Sequence, residues 1–339
     1  MITAGLRRAI LAAVGTGAVS AEDGDPLLRP GPAPGSYASS LPFRLAQPGQ
    51  ETRDVAAALA GRLAGEPWIA AAEVTGRGFV TVTVTHDTLA GLAVRIARAG
   101  PACAHSDALR GRTAPAVPPT GPPGPLALAL DWPQARAALA AQLTARLAAA
   151  AGATVFPDAE RGSVPAPASL PAAWPGTGPV AAAVAYAGAD AVRFALARVP
   201  PGGEPPNAAV IARHVLANPA YAVRYAHAAA AALLRWAAAL GTRPAGFTPR
   251  LLAEPGELAL LDALSWLPER VAMAARRGRP DEFAGYLEEL AAQTMETMSM
   301  TSFTTVSSIS SERLWLADAA RTGLAAGLRL LGIDAPSRL

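Results

Sequence analysis

Apolar residues at helical spacing open the chain. Ile2, Leu6, Ala9, Ile10 and Ala13 fall on one face and predict an amphipathic first helix. After a Pro- and Gly-rich connection at Pro30 to Gly35, Glu51 to Arg53 make a polar helix start that Val55, Leu59 and Leu63 continue at the same period. The period then shortens. Val80, Val82 and Val84 alternate with Phe79, Thr81, Thr83 and Thr85, which predicts a strand burying its valines on one face. Ala71 to Thr75 is a second strand signal, and Gly76, Arg77 and Gly78 between the two read as a turn. His86 to Arg98 returns to helical spacing with Leu89, Leu92, Ala93 and Ile96 inward.

The next stretch, Gly100 to Tyr186, is weakly patterned. Pro115 to Pro125 is a proline-rich linker, unsuited to a helix or a central strand. Leu126 to Leu130 reads as a strand, Gln134 to Ala150 as a helix and Thr154 to Phe156 as another strand, a small βαβ remnant. From Ala187 onward helical spacing dominates, in segments Asp190 to Ala197, Ala208 to Leu216, Ala220 to Leu240, Leu258 to Arg276, Asp281 to Thr297 and Ser311 to Leu331. The last carries a stripe of Leu314, Ala317, Ala320, Leu324, Leu328 and Leu331 and stops at Gly332, with Pro336 beyond. The expected fold class is α+β: a small α/β N-terminal domain over residues 1–100, a linker and reduced βαβ segment over 101–186, and an all-α helical bundle over 187–339.

Composition removes several chemistries. With 51% hydrophobic and 16% charged residues, 339 residues can bury real cores. All 29 basic residues are arginine, so Schiff-base chemistry and a phosphate-binding loop lysine are excluded. One cysteine, Cys103, excludes a disulfide framework and a four-cysteine zinc site. The four histidines, His86, His105, His214 and His227, are too far apart for a His-Glu-x-x-His helix. Neither a metal nor a cofactor is expected. Arg7 and Arg8 before the apolar run Ala9 to Val19 imitate a secretory signal, but few of those residues are large and the same segment forms the amphipathic helix. A cytoplasmic protein without a membrane span is the expectation.

Net charge is only +3, yet its distribution is uneven. No acid occurs between Glu204 and Glu254, a window that holds Arg213, Arg224, Arg235, Arg243 and Arg250. Such an excess attracts polyanions over a Debye length. On the helix from Ala220, Tyr221, Arg224, Tyr225 and Arg235 share a face with Trp236 at its edge. Rings interleaved with guanidinium groups suit an unpaired RNA loop, whose bases stack on the rings while arginines meet phosphates. Tyrosines buried as core with satisfied hydroxyls are the alternative. His227 falls on the opposite face with Val223, Ala230 and Leu234, as a buried structural histidine would.

Three separated motifs, GADAVRF at Gly188 to Phe194, NPAYAVRYAHA at Asn218 to Ala228 and RLWLADAARTGLAAGLRLLGIDAPSRL at Arg313 to Leu339, resemble the C-terminal anticodon-binding domain of arginyl-tRNA synthetases, the DALR-type helical domain. There Asp-Ala-Leu-Arg, Asn-Pro-x-Tyr-x-x-Gln-Tyr-Ala-His-Ala-Arg and Leu-Gly-Ile-x-Ala-Pro-x-x-Met occur in this order. GSYASSLPFRLA at Gly35 to Ala46, TRDVA at Thr52 to Ala56 and VTGRGFVTV at Val74 to Val82 resemble that family's N-terminal additional domain, which binds the outer corner of tRNA. In the family a Rossmann catalytic domain with a His-Ile/Val-Gly-His signature separates the two. Here the intervening space holds fewer than ninety residues, with neither His-x-Gly-His nor Gly-x-Gly-x-x-Gly. Amino-acid activation is not expected, and the chain is read as a non-enzyme.

The resemblance implies tRNA as partner, arginine-type tRNA first. It places anticodon-side contacts at Arg213, Tyr221, Arg224, Tyr225, Arg235, Trp236 and Leu339, and elbow-side contacts at Tyr37, Ser40, Arg44 and Phe79. Asp190, Arg193, Asn218 and His227 are expected to be structural, with Arg193 holding Asp190 and neighbouring carbonyls. The chain departs from the family pattern at Arg224 (Gln there), Ala229 (Arg) and Leu339 (Met), and at Ser36 and Ser40 (Asp and Asn). Two functions are compatible with these residues. One is a non-catalytic tRNA-binding protein that grips anticodon loop and elbow, with presentation of aminoacyl-tRNA to a partner enzyme as one use. The other is a repurposed scaffold for protein association without specific RNA binding.

Overall fold

The computed structural model describes residues 1–14, 25–114, 131–155, 178–300 and 310–339. Helix α1 (Ile2–Val14) is followed by strands β1 (Leu28–Pro30) and β2 (Ser36–Ser39), a single turn of helix α2 (Pro42–Leu45), helix α3 (Thr52–Leu63) and the hairpin β3 (Ile69–Thr75) and β4 (Phe79–Val84). The strands form one antiparallel sheet in the order β1-β2-β4-β3. As the alternation requires, Val80, Val82 and Val84 are buried. Tyr37 of β2 pairs with Val82 and so projects from the same face. Strands β1 and β2 are too short to register as a period and flank the stretch read as a connection.

The expected helix His86 to Arg98 is two helices, α4 (His86–Ala90) and α5 (Leu92–Ala99), broken at Gly91. Leu89, Leu92, Ala93 and Ile96 are buried as expected. The middle segment contributes β5 (Thr113–Ala114), α6 (Trp132–Ala150) and β6 (Thr154–Val155), and β5 pairs with β6 in parallel. The Pro115 to Pro125 linker, the strand expected at Leu126 to Leu130 and Phe156 lie outside the described residues. Helix α6 starts where Asp131 Oδ1 accepts from the Gln134 amide at 2.9 Å, with Trp132 and Pro133 in the first turn.

The remainder is helical: α7 (Pro179–Ala187), α8 (Ala189–Arg198), α9 (Ala208–Ile211), α10 (Pro219–Ala239), α11 (Pro255–Ser265), α12 (Leu267–Arg277), α13 (Pro280–Met300) and α14 (Ser311–Leu331). Two expected segments need correction. Leu258 to Arg276 is not continuous, because Pro268 lacks the amide that a single helix would need and instead sits in the first turn of α12. Ala208 to Leu216 is helical only to Ile211, because Asn218 takes the Ile211 and Arg213 carbonyls as acceptors, 2.8 Å each. Helix α14 is the axis of the bundle. Its predicted stripe is buried, and it packs against α5, α10 and α13. It ends at Gly332 in the left-handed conformation, φ 72°.

The N-terminal sheet sits directly on this bundle. Tyr37 is fully buried in the seam, its hydroxyl donating to Ser265 Oγ at 2.7 Å and its ring 5.3 Å from that of Trp266. The Gly35 amide donates to Asp262 Oδ1 at 2.9 Å, and His86 Nε2 donates to the Leu252 carbonyl at 2.9 Å. Arg7 is on the buried side of α1, with only 7% of its side chain exposed, and reaches Asp25 at 2.8 Å and Glu269 at 2.7 Å. Arg276 closes the ring by pairing with the same Asp25 and with Glu269 at 3.3 Å. Two arginines therefore alternate with two carboxylates across the seam. Burial raises the Asp25 pKa, but Arg276 and Arg7 outweigh it and hold the carboxyl below its ordinary value.

Candidate nucleic-acid interface

The Asn-Pro pair that opens α10 builds the site. Asn218 is buried, and its Oδ1 accepts from the Ala220 amide at 3.2 Å while Pro219 supplies a first-turn residue that needs no amide partner. Its Nδ2 donates to the carbonyls of Ile211 and Arg213, which folds the preceding segment back over the start of the helix. His214 is thereby set against Tyr221, ring centroids 5.5 Å apart and 10° from parallel. One turn on, Tyr221 stacks on Tyr225 at 5.7 Å and 24°. Three rings thus form a ladder whose first member, His214, is exposed and whose two tyrosines are half-buried. Sequence reasoning missed His214 because it is placed by hydrogen bonds of Asn218, not by helical period.

The guanidinium groups of the acid-free window divide. Arg213 is exposed and makes no ion pair among the described residues. Arg224 turns to Asp190 at 3.7 Å, with 28% of its side chain exposed. Arg235 is exposed but donates to the Ser337 carbonyl at 2.8 Å. Trp236 and Leu339 are exposed near this end, at 39% and 56%. His227 is 3% exposed, and its Nδ1 donates to the Pro336 carbonyl at 3.0 Å. The Tyr-Ala-His motif and the closing Gly-Ile-Asp-Ala-Pro motif are therefore one contact, with His227 and Arg235 holding the tail along α10. Arg193 is buried beside Asp190, but the ion pair of Asp190 is made with Arg224, and no hydrogen bond from Arg193 to a carbonyl occurs among the described residues.

Burial depresses the His227 pKa, the Pro336 carbonyl raises it and Arg321 depresses it further, for a net lowering from 6.5. A lowered folded pKa means that the unfolded chain binds the proton first. The stability contributed by neutral His227 is present above about pH 6.5 and is lost as pH falls through the folded value. An NMR titration of the ring should give a midpoint below 6.5. A midpoint above that value would contradict a buried, neutral anchor for the tail.

On the N-terminal sheet the four expected residues separate. Tyr37 is consumed by the seam, where its buried hydroxyl serves Ser265, so its ring is not offered to a ligand. Ser40 is half-buried and Arg44 is exposed. Phe79 is half-buried and meets Phe43, itself 43% exposed, with ring centroids 4.9 Å apart. Phe43 and Arg44 are consecutive residues of α2, which packs on β4. Phe43 was not singled out from sequence, because a lone aromatic in a four-residue helix has no period.

The family model of the arginyl tRNA synthetase N terminal domain matches residues 2–84, and that of the DALR anticodon binding domain matches residues 223–339. The arginine--tRNA ligase of Clavibacter sepedonicus is 38% identical over 158 residues, 45% of this chain and 28% of that protein. That of Kineococcus radiotolerans is 41% identical over 128 residues, 36% of this chain and 23% of the relative. Among solved structures, the Thermus thermophilus arginyl-tRNA synthetase aligns at 28% identity and a TM-score of 0.38, over 45% of this chain and 27% of that one. The chain thus spans about a quarter of the length of these relatives. It carries an arginyl-tRNA synthetase N-terminal domain and a DALR anticodon-binding domain on one polypeptide, the make-up of an arginyl-tRNA synthetase lacking its catalytic domain.

Proposed function

We propose that this chain is a non-catalytic, cytoplasmic tRNA-binding protein, organised as residues 1–100, 101–186 and 187–339, that takes an arginine-type tRNA by its anticodon loop. The observation that carries this reading is the ladder of His214, Tyr221 and Tyr225 beside the exposed Arg213. Three parallel rings at a surface offer stacking faces to unpaired bases, and a guanidinium next to them serves the backbone. The Phe43 and Phe79 pair with Arg44 is the counterpart on the N-terminal sheet for the tRNA elbow. Presentation of the bound tRNA to a partner enzyme is compatible with such a grip. No helix among the described residues is long and apolar enough to cross a membrane.

The test is a salt titration of tRNA binding. Purified protein should bind arginine-accepting tRNA at ~50 mM salt, and Arg213→Ala should flatten the dependence of log K on log salt by about 0.7, the contribution of one single-stranded phosphate. ATP–pyrophosphate exchange with arginine should stay at background. A second reading, protein association, draws on the exposure of Val215, Leu216, Trp236 and Leu240 and on the internal engagement of Arg224 and Arg235. Absence of tRNA binding at ~50 mM salt would favour that reading.

A further inference from the structure

Arg193 of α8 is 5% exposed, and its Nε has no hydrogen-bond partner. A guanidinium carries five donors and stays charged, so a buried one without acceptors is expensive unless something compensates it. Its neighbour increases the strain. An ideal Cβ on Gly332 would lie 2.8 Å from Nη1 of Arg193 and 2.8 Å from Nη1 of Arg146, so the two nitrogens are at most twice that apart. Burial lowers the Arg193 pKa to about 10, with Arg146 adding to the effect and Asp190 opposing it. Arg146 of α6 is likewise lowered by burial.

The compensation within the chain is partial. Arg146 Nη1 donates weakly to the carbonyls of Arg329 and Leu330, at 3.4 and 3.3 Å, at the C-terminal end of α14, where the helix dipole favours cations. Asp190 attracts Arg193, but it also pairs with Arg224 at 3.7 Å, whose own Nε lacks a partner. Asp334 adds a second acid, exposed at the edge. Arg193 and Arg224, from α8 and α10, therefore share the half-buried Asp190 carboxylate, and Arg146 of α6 lies beside Arg193 at Gly332. Gly332 and Arg146 are only half-buried, so the cluster opens to solvent between them.

We propose that Arg146 and Arg193, beside Gly332, form a binding site for a single phosphate group, held by two guanidinium forks from different helices. A phosphate group supplies several acceptor oxygens and at least one negative charge, which these two guanidinium groups find only in part within the chain. Gly332 is a glycine for two reasons: its φ of 72° is left-handed, and any Cβ would occupy the space between the two arginines. The group is either a free phosphate or a phosphodiester of bound RNA, and both offer at least two non-bridging oxygens to the two guanidinium groups.

Thermal unfolding in sodium phosphate against sodium chloride of equal ionic strength tests the site. Saturating phosphate should raise the Tm of the parent protein by ~5 °C, as expected for a ligand that binds only the folded state. Arg146→Met should abolish the phosphate-specific increment while still folding, since Arg146 is half-buried; Arg193→Met should do the same if it folds. Repeating the melt with saturating tRNA separates the sources. Loss of the increment assigns the site to an RNA phosphodiester, and its persistence assigns it to free phosphate. No increment in the parent, or an equal one in Arg146→Met, overturns the proposal.

Discussion

Replacing Arg7 by methionine should destabilise the protein by ~3–5 kcal/mol, the cost of breaking a buried ion pair by removing one partner. Arg7 supplies hydrogen bonds to both Asp25 and Glu269, whose side chains are 10% and 4% exposed. Without it, Arg276 alone must serve two carboxylates, and it is already shared between them. The excess negative charge would be buried between the N-terminal helix and the bundle. Urea denaturation of parent and variant should show the loss as a lower midpoint with an unchanged slope. Replacing Arg7 and Glu269 together by methionine and leucine should recover much of it, because the charge imbalance disappears with the pair. A loss below ~1 kcal/mol for Arg7→Met would instead class the network with exposed ion pairs. The same network sets an acid limit. With the Asp25 pKa held below 3.8, its contribution is complete above that value and is lost as pH falls through the folded pKa.

Tyr221→Ala should weaken tRNA binding by ~1–3 kcal/mol for each base that stacks on the ladder, with little change in salt dependence. Tyr221 is the middle rung, 5.5 Å from His214 and 5.7 Å from Tyr225, so its removal separates the two remaining rings. Tyr225→Ala should cost less, because the His214 and Tyr221 pair remains. Tyr221→Phe keeps the stacking face and should bind like the parent. Far-ultraviolet circular dichroism should confirm that each variant is folded. The distinction from Arg213→Ala is the diagnostic: loss of a phosphate contact lowers affinity and flattens the salt slope together, whereas loss of a ring lowers affinity alone. An alanine variant at Tyr221 that binds tRNA as tightly as the parent would place the RNA on another face.

Local period and short motifs were enough for those parts whose structure depends on neighbours in sequence. The alternating valines of β4, the buried stripe of α14 and its stop at Gly332 are period and capping effects, and each is where the pattern puts it. His227 was legible as buried because Val223 and Ala230 share its side of α10, and both are buried too. The missed break before α12 was written in Pro268, whose restriction outweighs an apolar period that continues through it. Strands β1 and β2 carried too few residues to show a period at all, and their pairing is recognisable only once β4 is beside β2.

What the sequence determined by itself is therefore the strongly periodic elements such as β4, α10 and α14, the arginine-only charge, the acid-free window and the two resembling domains. These follow from side-chain type and spacing within a few turns of helix or one hairpin. Tertiary structure alone decided where each polar group is spent. Arg7 and Tyr37 look like surface residues in isolation, yet they are buried because Glu269 and Ser265, more than two hundred residues away, meet them across the seam. Arg224 and Arg235, read as phosphate ligands, are drawn to Asp190 and to the Ser337 carbonyl. His214 joins the aromatic ladder because Asn218, at the start of α10, binds the carbonyls of Ile211 and Arg213 ahead of it. The reason is physical: apolar burial is set by local period, whereas the partner of a charge or a hydrogen bond is set by what the folded chain brings within about 3 Å.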